Sequence, residues 1–203
     1  MKPHVDNYKI QADQAKKLFL TYDQQEIIAR CQLRYDDAYL YITFLHQNYR
    51  ICRKSGNMQR QQGEIWIDGN SFGEVMTLLD WLCDSKPHRF LSGQWVNAHG
   101  FHRNLQEKED GNALFFDAHP EAFEKACRAL GGVKREGGDI SYTIELMDGF
   151  SVWLRLWHGD EEFPPQLSCL WDKNMTMYIR YETSWYVLGL LMQRLREAME
   201  DVQ

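Results

Sequence analysis

Close cysteine pairs are missing from this sequence, and their absence excludes the commonest metal and cluster sites. The five cysteines stand at positions 31, 52, 83, 127 and 169, far apart along the chain. Zinc and iron–sulfur centres usually take their ligands from short motifs such as C-x-x-C. We therefore predict five reduced thiols, no bound metal and no cofactor.

Long apolar runs and a surplus of positive charge are missing too. The longest apolar run covers residues 187–192, which is far too short to span a bilayer. A net charge of −6 argues against a general affinity for the nucleic-acid backbone or for an anionic membrane surface. The first residues lack the apolar segment of a signal peptide. We expect a cytoplasmic protein that binds neither nucleic acid nor membrane.

Recognisable catalytic motifs are absent as well. Ser92 is not part of the G-x-S-x-G turn of a serine hydrolase. The glycine pairs at 131–132 and 137–138 come after a predicted helix and before a predicted strand, whereas phosphate-binding loops follow a strand and open a helix. No catalytic residue is therefore assigned from the sequence.

Helical spacing of apolar residues predicts helices over residues 11–20, 72–83, 120–130 and 185–199. Asp23 with Glu26 and Ser71 with Glu74 fit capping boxes, so a further short helix is predicted after Asp23. The chain therefore has about four to five predicted helices.

Two β-hairpins are predicted between these helices. Residues 39–45 and 49–53 flank turn residues at 47–48, and residues 140–146 and 151–157 flank Asp148-Gly149. A further strand is predicted at 64–68 and a long loop at 88–112. Hairpins mixed with helices indicate an α+β fold with a mainly antiparallel sheet, as a single domain over residues 1–203.

The densest polar cluster reads W-H-G-D-E-E-F-P-P over residues 157–165. Its residues 158–162 are called the acidic loop below. Three successive carboxylates beside a histidine suit a hard divalent cation, but acidic runs are more often solvated. Our interpretation is architectural: one of the three acids is expected to be buried and bonded to backbone N–H groups, and Phe163 to anchor in the core.

Four segments resemble a prokaryotic family of unknown function, domain-of-unknown-function family 3786. They are residues 26–49 with a Tyr-Asp turn and an aromatic hairpin, L-S-G-Q-W-V at 91–96, L-G-G at 130–132 with Gly138-Asp139, and L-W-H-G-D-E-E-F-P at 156–164 followed by L-W-D at 170–172. The family tends to have Phe where this chain has Trp171, and Glu-Asp where it has Glu182-Thr183. The resemblance implies one domain and no particular chemistry.

The candidate ligand-binding residues are aromatic or acidic and lie in or near these segments: Trp95, Trp157, His158, Asp160, Glu161, Glu162, Trp171, Asp172 and Glu182. The leading hypothesis is a non-catalytic module that binds a small molecule or a partner protein in a cleft lined by tryptophans and the acidic loop. One alternative is a metal-dependent hydrolase or transferase that uses the acidic loop and Asp172. The other is a structural subunit of a homo-oligomer.

Overall fold

The computed structural model describes residues 7–98 and 111–200. The chain divides into two compact units, the first made of residues 1–90 and 176–190 and the second of residues 91–175 and 191–203. Each unit contains one five-stranded antiparallel sheet, which confirms the predicted α+β class. The expectation of a single domain stays a prediction. Within the described ranges, no helix has the length and apolar character needed to cross a bilayer.

The first unit contains sheet A, whose strands follow one another in chain order. The strands are β1 (Arg34–Tyr35), β2 (Tyr39–Phe44), β3 (Gln47–Cys52), β4 (Met58–Gln62) and β5 (Ile65–Ile67). Its helices are α1 (Asn7–Phe19), α2 (Gln24–Cys31), α3 (Phe72–Asp84) and the first half of α6 (Tyr181–Glu200).

The second unit contains sheet B, with the strand order β6-β10-β9-β8-β7. The strands are β6 (Trp95–Val96), β7 (Val133–Lys134), β8 (Ile140–Met147), β9 (Phe150–Trp157) and β10 (Gln166–Asp172). Its helices are α4, described over 111–117, α5 (Pro120–Ala129) and the second half of α6; the turn at Met175–Met177 is a short 3₁₀ helix.

Both predicted helix caps are present in the first unit. Asp23 accepts hydrogen bonds from the backbone N–H groups of Gln25 and Glu26 at the start of α2. Ser71 and Glu74 form a complete capping box, in which the Ser71 hydroxyl accepts from Glu74 N–H at 3.2 Å and the Glu74 carboxylate accepts from Ser71 N–H at 2.6 Å. Side-chain oxygens satisfy N–H groups that a helix start leaves open, so both caps fix where these helices begin.

The hairpin of β2 and β3 turns two residues earlier than the sequence suggested. Phe44 pairs with Gln47, so Leu45 and His46 form the turn and residues 47–48 belong to β3. Both turn residues have positive φ, 47° and 58°, as a two-residue hairpin turn with the twist of the strands requires. This register places Leu40, Ile42 and Phe44 on one buried face, and that burial outweighs the poor turn propensity of leucine.

The hairpin of β8 and β9 confirms the prediction from Asp148-Gly149. Both residues have positive φ, 52° and 73°, and Met147 pairs with Phe150 across them. Along β9 the aliphatic residues Val152, Leu154 and Leu156 are buried, and the alternate positions are partly exposed. Period-two burial of this kind places one face of sheet B in the core of the second unit.

Helix α3 is joined to sheet A and to the start of α6 by polar contacts inside the first unit. Tyr49 on β3 donates to the Glu74 carboxylate at 2.6 Å. Asp80 is almost fully buried, and it accepts both the backbone N–H of Arg180 and a hydrogen bond from its guanidinium. Burial raises the pKa of Asp80, and its bonds to Thr183 and Arg180 offset only part of that rise. These contacts order the segment leading into α6.

The predicted loop over residues 88–112 is interrupted in the structure. It contains β6, and α4 has begun by residue 111; residues 99–110 lie outside the described residues. Besides β6, four strands were not predicted from the sequence: β1, β4, β7 and β10. Strands β1 and β7 are only two residues long, and β4, with the sequence M-Q-R-Q-Q, is too polar to show a strand pattern. These three strands are recognised only by their pairing with neighbouring strands.

Candidate functional site

The outer face of sheet B, opposite its buried face, carries most of the aromatic residues singled out in the sequence. Trp153, Arg155 and Trp157 alternate with the buried aliphatic residues of β9 and so share this face. Trp95 joins them from β6, where its ring lies 5.7 Å from the Trp153 ring in an edge-to-face contact. Two of the three tryptophans expected to line the cleft, Trp95 and Trp157, therefore share this partly exposed face.

Arg155 lies between two indole rings on this surface. Its guanidinium carbon is 5.1 Å from the centre of the Trp153 ring and 4.8 Å from that of Trp157. Such cation–π contacts are attractive because the ring faces carry negative charge. The Trp153 Nε1–H donates to the Ser141 hydroxyl at 2.8 Å and fixes one of the two rings. The result is a preorganised aromatic and cationic surface.

Trp171 does not belong to this surface, contrary to the predicted cleft. It pairs with the buried Val152, so it points to the inner face of sheet B. Its side chain is fully buried, with its ring 5.8 Å from that of Phe150. The prediction was based on the large number of aromatic residues, and it was wrong for Trp171 because an indole ring fills a core as readily as it lines a cleft.

Asp172 is buried and holds a loop rather than facing a ligand. Its oxygens accept from the N–H groups of Ser92, Gly93 and Asn174 at 2.8–3.0 Å, and from the Ser92 hydroxyl at 2.9 Å. Burial raises the pKa of Asp172, but the bonds from Asn174, Ser92 and Gly93 outweigh it and keep that pKa below its usual value. This carboxylate joins the end of β10 to the segment leading into β6.

His158 is held by two aspartates at the end of β9. Its Nδ1 lies 2.5 Å from an oxygen of Asp117 in α4, and its backbone N–H donates to Asp139 at 2.7 Å. Asp117 also accepts from the N–H of Gly159 at 3.3 Å. The imidazole is about half exposed, at 45 %, so the pair orients a ring whose other nitrogen has no partner among the described residues.

The chain after His158 forms a turn closed by its own groups. Asp160 accepts from the N–H groups of Glu162 and Phe163, each at 2.8 Å, and its own N–H donates to Phe163 at 2.9 Å. The bonds from Phe163 and Glu162 lower the pKa of Asp160. A Cβ at Gly159 would lie 2.7 Å from the Pro165 ring, so glycine is required for this close approach.

The architectural interpretation of this segment is wrong in both of its expectations, the buried acid and the core anchor. Asp160 does bond backbone N–H groups, but Asp160, Glu161 and Glu162 are all exposed, so the expected buried acid is wrong. The expected core anchor is wrong as well, because Phe163 is 63 % exposed. The turn closes within four residues, and this leaves no length of chain to carry the Phe163 ring back to the core.

Glu182, the last predicted residue, belongs to the first unit, where it is exposed in the first turn of α6. The other eight predicted residues belong to the second unit. Among the residues that the structure describes, no group of three or more His, Cys, Asp or Glu side chains is placed to hold a metal ion. All five cysteines are free thiols.

Asp117, Trp153 and Arg155 are the site residues that sequence reasoning did not select. Trp153 and Arg155 carried a signal, because they alternate with the buried aliphatic residues of β9. Asp117 carried none, since it is 41 residues away from His158 in the sequence. Only folding brings it to the histidine.

The first unit has a shallow, open pocket of its own, about 450 Å³ in volume, at the edge of sheet A. Asp36 and Tyr41 line it, and the Tyr41 hydroxyl donates to the Asp36 carboxylate at 2.7 Å. Asp36 also accepts from the N–H groups of Ala38 and Tyr39. The acid of this pocket is thus already bonded within its own turn, and none of the predicted site residues lies there.

Fold and site together define an α+β protein of two antiparallel sheets, the second with an aromatic and cationic outer face. The family model described as "Domain of unknown function (DUF3786)" matches residues 23–194. The chain belongs to this family, as the resemblance in the sequence implied. No curated protein and no solved structure matches the chain.

The segments that carry the resemblance contact one another in the second unit. Asp172 binds the loop at Ser92 and Gly93, and Asp139 binds the N–H of His158. Three distant stretches of sequence are therefore joined by aspartates that accept backbone N–H groups. This gives the motifs an architectural role at the base of the outer face.

Proposed function

We propose that the chain is a non-catalytic interaction module that docks a partner protein through the turn after β9. The observation that carries this proposal is the exposed ring of Phe163, 63 % accessible on a turn closed by Asp160. Aromatic side chains are frequent anchors of protein interfaces. Because Asp160 fixes the backbone of this turn, the segment loses less conformational freedom on binding, which favours affinity.

The charges around Phe163 indicate the chemistry of the partner. Asp160, Glu161 and Glu162 are exposed, and no cationic side chain in the described ranges lies within ion-pairing distance of them. A partner that offers an apolar pocket rimmed by lysine or arginine would complement both the ring and the acids. The five reduced thiols suit the cytoplasm, where we propose that this docking takes place.

Site-specific photocrosslinking in cells tests the proposal. A photoreactive phenylalanine analogue replaces Phe163, and the same analogue at Ile65, which is 61 % exposed in the first unit, serves as the matched control. We expect a discrete adduct with a second protein from position 163 and none from position 65. The double variant Glu161→Gln, Glu162→Gln should weaken the adduct while leaving thermal unfolding unchanged, because both side chains are exposed.

Each rival hypothesis has its own outcome in this design. An adduct of twice the chain mass would favour the homo-oligomer subunit. Equal adducts at both positions, or no adduct at either, would contradict a docking role for Phe163. A thermal-shift titration with Mg²⁺, Mn²⁺ and Zn²⁺ addresses the metal-dependent hydrolase or transferase, because a metal that binds the folded state raises the melting temperature.

A further inference from the structure

Arg155 has no hydrogen-bond partner among the described residues, although its Nε is buried. No carboxylate in the described ranges is within ion-pairing distance of it either. Its guanidinium carbon lies against the two indole rings, and its aliphatic stem lies beside the turn at Gly137 and Gly138. An unpaired buried donor on a charged group is costly, and native proteins rarely leave one without a partner.

A second unpaired donor lies directly beside it. Ser168 on β10 is the residue opposite Arg155 in the sheet, and its hydroxyl makes no hydrogen bond within the part of the chain described. Residues opposite each other on one face of an antiparallel sheet have Cβ atoms about 4.5–5.5 Å apart. The Arg155 side chain and the Ser168 hydroxyl therefore lie side by side on the outer face of sheet B, with Trp153 and Trp157 at the adjacent outward positions of β9.

In the first unit, an arginine that also lies between two aromatic rings donates a hydrogen bond to a neighbouring side chain of the same sheet. Arg50 on the central strand of sheet A lies 4.2 Å from the Tyr39 ring centre and 4.8 Å from that of Trp66. Its Nε donates at 2.7 Å to the side chain of Gln59, the residue opposite it on β4. At the equivalent place beside Arg155 the shorter Ser168 provides no such acceptor.

From these observations we propose that the outer face of sheet B is a binding site for a small molecule bearing a carboxylate or phosphate group. The oxyanion accepts from the Arg155 guanidinium and from the Ser168 hydroxyl. The planar fork of an arginine matches the two oxygens of either group. The Trp153 and Trp157 rings hold the guanidinium in place and offer apolar surface to the remainder of the ligand.

Calorimetric titration of the intact chain tests the site with acetate, benzoate and inorganic phosphate, and with chloride as the spherical control anion. We expect at least one oxyanion to bind more tightly than chloride. Benzoate above acetate would indicate that the indoles contribute, and phosphate above both would indicate a phosphorylated ligand. Arg155→Gln should weaken binding by about 10- to 100-fold, the effect of losing a hydrogen bond to a charged group.

Two further variants distinguish binding at Arg155 and Ser168 from a general effect of the net charge on anion binding. Arg50→Gln removes the same charge from the matched position in sheet A and should leave binding unchanged. Ser168→Gln gives Arg155 the acceptor that Arg50 already has, so it should weaken oxyanion binding without any change of charge. If Arg155→Gln fails to fold, Arg155→Lys and Ser168→Gln provide the test.

The proposal is overturned if no oxyanion binds better than chloride, or if Arg155→Gln and Arg50→Gln have equal effects. It is also overturned if Ser168→Gln binds oxyanions as the unmodified chain does. The site is independent of the docking role of Phe163, because Phe163→Ala leaves Arg155 and Ser168 in place. That variant should retain oxyanion binding even if it abolishes the photocrosslinking partner.

Discussion

Sheet A and sheet B each place an arginine on their central strand between two aromatic rings, and the two arginines differ in whether a side chain opposite them accepts a hydrogen bond. Arg50 has Gln59 opposite it and donates to that side chain, whereas Arg155 has Ser168 opposite it and donates to nothing in the described residues. The surroundings of Arg50 continue the pattern, since Gln59 donates in turn to Asp68 at 3.1 Å.

This difference distinguishes the face of sheet A, whose polar groups bond to one another, from the face of sheet B, where we propose a binding site. On sheet A the polar groups form a chain of hydrogen bonds, and a ligand would have to replace bonds that already exist. On sheet B the guanidinium and the hydroxyl have no hydrogen-bond partner among the described residues, so a ligand would replace water and not bonds within the protein. The aromatic sandwich is common to both faces and therefore does not by itself indicate a binding site.

The largest expected effect concerns the buried faces of the same two strands. Leu154 on β9 and Ile51 on β3 are almost fully buried, at 1 % and 0 % exposure, so each truncation to alanine should cost about 2–5 kcal/mol of unfolding free energy. Denaturant unfolding followed by circular dichroism measures the cost. A single transition lowered by either variant would support one cooperative domain, whereas two separable transitions would contradict it.

A smaller loss is expected from Asp172→Asn. The asparagine amide has only one acceptor oxygen, so some of the four donors from Ser92, Gly93 and Asn174 lose their partner, at a cost of about 1–3 kcal/mol. Glu161→Gln is the control, because it removes a charge from an exposed position. Equal stability of the two variants would mean that Asp172 does not hold this loop.

The pH dependence of that difference provides a related test. Because the pKa of Asp172 in the folded state lies below its ordinary value of 3.8, its stabilisation is present above that pH and is lost as pH falls through the folded-state value. The stability gap between the unmodified chain and Asp172→Asn should therefore narrow on acidification. We expect urea titrations at successive pH values to show this narrowing, and a gap independent of pH would refute it.

Much of the fold could be predicted from local signals. The cap at Ser71, the Asp148-Gly149 turn and the alternation along β9 each act over a few residues, and each predicted its element correctly. Strands such as β1 and β7 could not be predicted, because two residues are too few to show a periodic pattern. They form only by pairing with a longer neighbour. The division into two sheets likewise depends on contacts between distant segments.

The site was harder to predict because its determinants are relations between residues. Trp95 and Trp157, two of the predicted ligand-binding residues, lie on the outer face, but Trp171 has the same chemistry and lies on the inner face. Whether Asp172 meets a ligand or a loop depends on the position of Ser92, 80 residues away in the sequence. That Arg155 has no hydrogen-bond partner within the described ranges can be seen only in the folded chain.

The smallest expected effects come from exchanging the neighbours of the two arginines. Gln59→Ala removes the acceptor of Arg50, and Ser168→Gln supplies one to Arg155. A hydrogen bond contributes about 0.5–1.5 kcal/mol net, so the first variant should lower the unfolding free energy by about that amount and the second should raise it similarly. Urea unfolding in an oxyanion-free buffer measures both. Adding the oxyanion that binds should then stabilise the unmodified chain more than Ser168→Gln, since the glutamine oxygen competes for the Arg155 guanidinium. If Ser168→Gln destabilises the chain while Gln59→Ala leaves it unchanged, the two arginines do not differ in the way their neighbours suggest.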